Sequence, residues 1–158
     1  MSKAMYPGSF DPITYGHMDI IEQSSKMFEE VFVAVMVNDE KNPLFTTEER
    51  VDMIRKTVGH LPNVKVVASP GLTVDFARSL DVNVLIRGIR AVMDYEYELQ
   101  QSTINMMLAP DIETVFLLSK PDYSFLSSSA ARTVAKYHGD LQRFVPEYVA
   151  CKLEEKMK

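Results

Sequence analysis

Apolar and polar residues come along this chain in blocks of two kinds. Five short runs, Lys3–Tyr6, Val31–Val37, Val64–Ala68, Val84–Ile86 and Thr114–Leu118, are largely apolar and Val-rich, without strict alternation. Such runs read as strands of a parallel sheet covered on both faces. Between them the period lengthens. Ile20, Ile21, Ser24, Met27 and Phe28 fall on one face of a helix that begins near His17. Thr46 and Glu49 form a capping-box pattern ahead of Val51, Ile54 and Val58. Further helices are predicted over Thr73–Leu80, Asp94–Leu108, Ser129–His138 and Pro146–Met157.

Strands that alternate with helices predict an α/β fold, a Rossmann-like doubly wound five-stranded parallel sheet with helices on both faces. No repeat or linker interrupts the pattern, so residues 1–158 are expected to form a single domain. Sheets of this kind bind ligands beyond the carboxyl ends of their strands, where the strand order reverses. Functional residues are therefore sought just after each strand.

The first such loop is the richest. Tyr6-Pro7-Gly8-Ser9-Phe10-Asp11-Pro12-Ile13-Thr14-Tyr15-Gly16-His17 joins a strand to a helix through a glycine-containing turn. Backbone amides and the positive helix end then form a phosphate cradle. Thr14 and His17 are three apart and project from the same face of a first helical turn. A hydroxyl beside an imidazole there points to phosphoryl or nucleotidyl transfer.

The second loop supplies Asn38 and Lys41, and the third Gly71-Leu72-Thr73. The fourth strand runs into Arg87-Gly88-Ile89-Arg90. Arginine's planar fork matches phosphate oxygens, although salt bridges to Asp94, Glu96 or Glu98 would also account for the pair. After the fifth strand, Ser127, Ser128 and Ser129 offer N-caps and anion donors. Arg132 is expected in the first turn of that helix, where only a bound anion would favour a cation.

Composition narrows the picture. A net charge of -5 argues against non-specific nucleic-acid binding. The lone Cys151 allows no internal disulfide, which fits a reducing cytoplasm. No apolar run reaches the ~20 residues of a membrane span, and the N-terminus has no signal-peptide core. No GxGxxG, P-loop or HExxH pattern occurs, and no His/Cys/Asp/Glu set has metal-ligand spacing. Any metal is expected to be Mg²⁺ carried on phosphates.

Thr14-Tyr15-Gly16-His17 and Ser127-Ser128-Ser129-Ala130-Ala131-Arg132 resemble the paired signatures of the adenylyl/cytidylyl-transferase superfamily. The chain as a whole is similar to the bacterial phosphopantetheine adenylyltransferases. The strings that carry this are Pro7–Pro12, Phe45-Thr46-Thr47-Glu48-Glu49-Arg50, Ile86–Arg90 with Asp94–Glu98 behind it, and Tyr123–Ser129. The resemblance implies adenylyl transfer from ATP to 4′-phosphopantetheine, giving dephospho-coenzyme A and pyrophosphate. It also implies Mg²⁺ dependence, a homohexamer and feedback by coenzyme A.

On matching positions, His17 would stabilise the transition state at the α-phosphate. Ser9 and Phe10 would line the junction of the two substrates. Lys41, Thr73 and Arg87 would hold phosphopantetheine. Gly88, Ile89, Arg90, Glu98, Tyr123, Ser124, Phe125, Leu126, Ser127, Ser128 and Ser129 would surround ATP. Ser9, Thr73 and Tyr123 stand where threonine, an aliphatic residue and tryptophan are also common in the family.

The phosphate nucleophile is already largely ionised near neutral pH. Alignment and charge neutralisation therefore suffice without a strong general base. Two alternatives stay open: a sister nucleotidyltransferase with another phosphate acceptor, and a non-catalytic nucleotide sensor. The apolar residues on two sides of the Asp94–Leu108 helix favour contact between subunits.

Overall fold

A computed structural model describes residues 2–38 and 41–158, with the side chains of residues 92 and 93 outside the description. Five strands form one parallel sheet: β1 (Lys3–Gly8), β2 (Glu30–Val37), β3 (Val64–Pro70), β4 (Val84–Ile89) and β5 (Glu113–Leu118). Their order is β3-β2-β1-β4-β5. The helices are α1 (Tyr15–Met27), α2 (Thr47–Val58), α3 (Thr73–Ser79), α4 (Val92–Leu108), α5 (Ser128–Lys136) and α6 (Glu147–Lys156), with a 3₁₀ turn at Pro121–Tyr123.

Alternate strand positions feed two cores, as the period of two requires. Ala4, Tyr6, Val31, Val33, Val35 and Ile86 pack with residues of α1, α2, α5 and α6. Met5, Phe32, Ala34 and Leu85 pack on the other face with Val74 and Ala77 of α3 and with Ala109 and Ile112. The expected doubly wound sheet is present.

The strand order reverses between β1 and β4, and there the sheet splits. β1 pairs with β2 over six residues and β4 with β5 over six, but β1 and β4 pair only at Ala4↔Val84 and Met5↔Leu85. Beyond Met5 and Leu85 the two strands separate and a crevice opens.

Three strands run further than expected, β1 to Gly8, β3 to Pro70 and β4 to Ile89. Pro7 is tolerated because β1 has lost its β4 partner at that point. Helix boundaries shift by one or two residues. Two-residue shifts occur in α4, which begins at Val92 rather than Asp94, and in α5, which ends at Lys136 rather than His138.

Candidate active site

The crevice at the split opens into a cavity of about 230 Å³, walled by β1, the loop after it, α1, the end of β4 and the start of α5. The first wall is set by local sequence. Thr14 caps α1, and its side chain accepts from the His17 amide at 3.4 Å. His17 reaches back so that its Nδ1 accepts from the Thr14 amide at 3.0 Å. This is a capping box with histidine at the third position instead of Glu or Gln. The expected pairing of Thr14 with His17 is thus present, although Thr14 is the cap and lies just outside the first turn.

The imidazole is half-buried, lying edge-on to Phe10 with ring centroids 5.0 Å apart. Burial, then the charges of Arg90 and Arg87, push its pKa down to about 4. It is therefore neutral near pH 7. With Nδ1 accepting, the proton sits on Nε2, and His17 is a neutral hydrogen-bond donor in the cavity wall.

Helix ends complete the cradle. In the first turn of α1, Tyr15 donates to the Phe144 carbonyl, His17 to Thr14 Oγ1 and Met18 to the Thr14 carbonyl. Among the described residues, that leaves the Gly16 amide without a partner. At α5, Ser127 is the cap and accepts from the Ala130 amide at 2.9 Å. Ser128 Oγ donates to the Pro12 carbonyl at 2.7 Å, tying α5 to the first loop.

The second and fourth strand ends carry the charges. Arg87 forms a two-pronged pair with Glu98, its Nη2 at 2.8 Å from Oε1, and Nη1 bridges the split to the Pro7 carbonyl at 2.6 Å. Arg90 holds Asp94 through Nε at 3.0 Å and also donates to the Leu126 carbonyl. Both arginines line the cavity, and each has a carboxylate. Gly88 has a packing reason as well, because a Cβ there would lie 2.9 Å from Cγ1 of Ile20. Deep in the same wall, burial pushes the Tyr6 phenol up to about 12.

A second cavity of about 360 Å³ adjoins the first, and Ser9 lines both. Among the described residues, Lys41, Arg50 and Arg132 stand around it with one carboxylate, Asp11. That carboxylate is already engaged, accepting from the amides of Leu44 at 2.8 Å and Phe45 at 2.9 Å. Arg132 donates to the Asp11 carbonyl at 2.6 Å. It is the fifth residue of α5, not in its first turn as expected, because the helix starts at Ser128 with Ser127 as cap. Its charge is tied to the first loop.

The structure thus gathers Ser9, Phe10, His17, Arg87, Gly88, Arg90, Glu98, Leu126, Ser127 and Ser128 around the first cavity, and Lys41 with Ser9 around the second. Thr73, Ile89, Tyr123, Ser124, Phe125 and Ser129 line neither. Ile89 is buried in the sheet. Phe125 packs edge-on against Phe144, Ser124 Oγ donates to the Pro121 carbonyl, and Tyr123 stacks with Tyr15.

The sequence reading did not single out Asp11, Arg50 or Asp94 as site residues. A cation in the first turn of α2 was the available signal for Arg50. No group of three or more potential metal ligands converges among the described residues.

The cytidylyltransferase-like family matches residues 5–134. The phosphopantetheine adenylyltransferase of Dictyoglomus turgidum is 52% identical over 158 residues, covering 100% of this chain and 99% of that protein. That of Heliobacterium modesticaldum is 49% identical over 156 residues, covering 99% and 93%. A crystal structure described as a nicotinate-nucleotide adenylyltransferase from Vibrio parahaemolyticus superposes with a TM-score of 0.72 at 15% identity, covering 99% of this chain and 95% of that one. At that identity the likeness speaks to fold alone.

Proposed function

The chain belongs to the cytidylyltransferase-like nucleotidyltransferases and, within them, to the phosphopantetheine adenylyltransferases, and on that premise we infer the reaction of its cavity. A phosphate oxygen of 4′-phosphopantetheine attacks the α-phosphorus of ATP. A new P–O bond forms, the bond to the β-phosphate oxygen breaks, and dephospho-coenzyme A and pyrophosphate are released. The reaction serves coenzyme A synthesis.

The observation that carries the reading is the neutral His17, its Nδ1 taken by the Thr14 amide. Its Nε2–H is left as a fixed donor between two helix N-termini at the split in the sheet. Such a donor suits charge developing on an α-phosphate and needs no reorganisation in the transition state. It does not suit a general base, and the ionised phosphate nucleophile requires none. A sensor would have no use for an imidazole held in this tautomer.

Several finer points are proposals. Ser9, Lys41, Thr73 and Arg87 hold the acceptor. Ser9, Phe10, His17, Gly88 to Arg90, Glu98 and Tyr123 to Ser129 surround ATP. Residues that line neither cavity would contribute through backbone groups or after closure on the ligand. Mg²⁺ is the proposed cofactor, neutralising the triphosphate. The cavity carboxylates Asp94 and Glu98 are committed to arginines, which fits an ion carried on phosphates and water.

A homohexamer is proposed, built as copies of one nucleotidyltransferase domain. Its support is the exposed apolar residues on two sides of α4, Tyr95, Leu99 and Met106 on one and Tyr97, Ile104 and Leu108 on the other, together with the exposed Leu118 on β5. Feedback by coenzyme A and a cytoplasmic location complete the proposal. No described helix is long and apolar enough to cross a membrane.

The test is pyrophosphate release from the purified protein with Mg²⁺-ATP, with and without 4′-phosphopantetheine. Release that depends on 4′-phosphopantetheine is the expected result. Silence with it, beside turnover with nicotinamide mononucleotide or a glycerol or sugar phosphate, would move the chain to a sister activity.

A further inference from the structure

The one buried cation whose place the reaction leaves unexplained is Arg50. It is only 4% exposed, yet no carboxylate lies within ion-pair distance of it among the described residues. Its guanidinium is satisfied instead by three neutral acceptors. Nη1 donates to the Ser9 carbonyl at 2.9 Å, Nη2 to Thr47 Oγ1 at 3.2 Å and Nε to the Thr46 carbonyl at 3.4 Å.

Each feature of that placement is costly. Burying a charge without a counter-ion is unfavourable. Arg50 is also the fourth residue of α2, near a helix N-terminus that disfavours cations. A residue that breaks local rules in this way, beside a candidate site, is expected where function demands it.

What Arg50 holds is informative. Ser9 lies in the wall shared by both cavities. The next residue, Phe10, has a left-handed backbone, φ 48°, a conformation that side chains other than Gly, Asn and Asp rarely adopt. Phe10 is kept there by packing its ring edge-on against Tyr6 at 5.3 Å and against His17. The Ser9–Phe10 segment is thus pinned from two sides, by aromatic packing on the α1 side and by the Arg50 fork on the α2 side.

We propose that Arg50 is a positioning residue for the transfer: its three-pronged fork fixes the Ser9 carbonyl, and through it the wall where the two substrates meet. The proposal rests on the adenylyltransferase reading. It requires the fork and not charge alone, because an ammonium group lacks the planar donor pattern that meets all three acceptors.

Arg50→Lys keeps the charge and removes the fork. The experiment measures kcat and both KM values of the full-length protein with Mg²⁺-ATP and 4′-phosphopantetheine. kcat is normalised to the number of ATP-binding sites from an equilibrium titration, and the melting temperature is recorded in parallel. The normalised kcat is expected to fall at least tenfold, with KM for ATP changed less than threefold.

A purely structural role would lower the melting temperature or the number of binding sites and leave these constants alone. Normalised kcat and both KM values within twofold of wild type would therefore overturn the proposal. Should Arg50→Lys fail to fold, Thr47→Val, which removes one acceptor of the fork, carries the test. A several-fold fall in normalised kcat is then expected, and unchanged constants overturn the proposal. Wild-type silence with 4′-phosphopantetheine would overturn the functional reading and the positioning role together. Wild-type turnover with unchanged variants overturns the positioning role alone.

Discussion

The two cavities that meet at Ser9 treat charge in opposite ways. In the first, Arg87 is matched by Glu98 and Arg90 by Asp94, so its walls are neutral before any ligand arrives. In the second, Lys41, Arg50 and Arg132 face one carboxylate among the described residues, Asp11, which accepts from two backbone amides and lies 3.9 Å from Arg132. A neutralised cavity can hold a neutral imidazole and rigid donors in place at little electrostatic cost. One with more cations than carboxylates among its described residues attracts an anion. The difference separates holding the reacting phosphorus from drawing in a charged phosphate group, and the two tasks meet at a shared wall.

The comparison can be broken most severely at the imidazole. His17→Ala is expected to lower kcat by about 10²-fold or more while circular dichroism shows an intact fold. Turnover near wild type in that folded variant would remove the donor from the mechanism. Gly88→Ala strikes the same cavity through packing, because its new Cβ must displace Ile20. It should cost about 1–3 kcal/mol in denaturant unfolding, and a neutral effect would mean that the α1–β4 contact is looser than described.

Asp94→Asn sharpens the electrostatic half. Freeing Arg90 should cost about 1–2 kcal/mol in the unliganded protein. It should also enlarge the rise in thermal midpoint produced by Mg²⁺-ATP, since the phosphates then meet an unmatched arginine. An identical ATP-induced shift in wild type and variant would show that the pairing is irrelevant to binding. In the second cavity the expectation reverses. Lys41 is exposed and makes no ion pair among the described residues, so Lys41→Met should leave stability within about 0.5 kcal/mol. Steady-state kinetics should show KM for 4′-phosphopantetheine rising roughly tenfold, the size of one charge-assisted hydrogen bond.

What could be read from the chain follows the same division. Spacing revealed the parallel sheet and the Thr14–His17 pair, because each depends on local period and capping, whereas the strand order that sets the switch point came only with the structure. The arginines after β4 were visible as candidates, but sequence could not choose among Asp94, Glu96 and Glu98 as partners. That choice depends on where α4 returns along the crevice, and the structure selects Asp94 and Glu98. Ser127, Ser128 and Ser129 looked equivalent in sequence. Their uses differ because α5 begins one residue earlier than expected, making Ser127 the cap and Ser128 the tie to Pro12. Arg50 left only the signal of a cation in the first turn of α2, which could not name its partner Ser9, 41 positions away.

The neutral imidazole also has a thermodynamic signature. Its folded pKa of about 4 lies below the ordinary 6.5. The unfolded chain therefore takes up a proton first as pH falls, and stability present above pH 6.5 is lost progressively toward pH 4. The His17 share of that loss is on the order of 3 kcal/mol, and His17→Asn should flatten that part of the profile.

The most direct test of the account follows the His17 ring itself by ¹⁵N NMR from pH 5 to pH 8 in the unliganded protein. A single neutral form with the proton on Nε2 across the whole range is the expected result. A titration centred near pH 6.5, or a proton on Nδ1, would contradict the neutral donor on which the reading of this site depends.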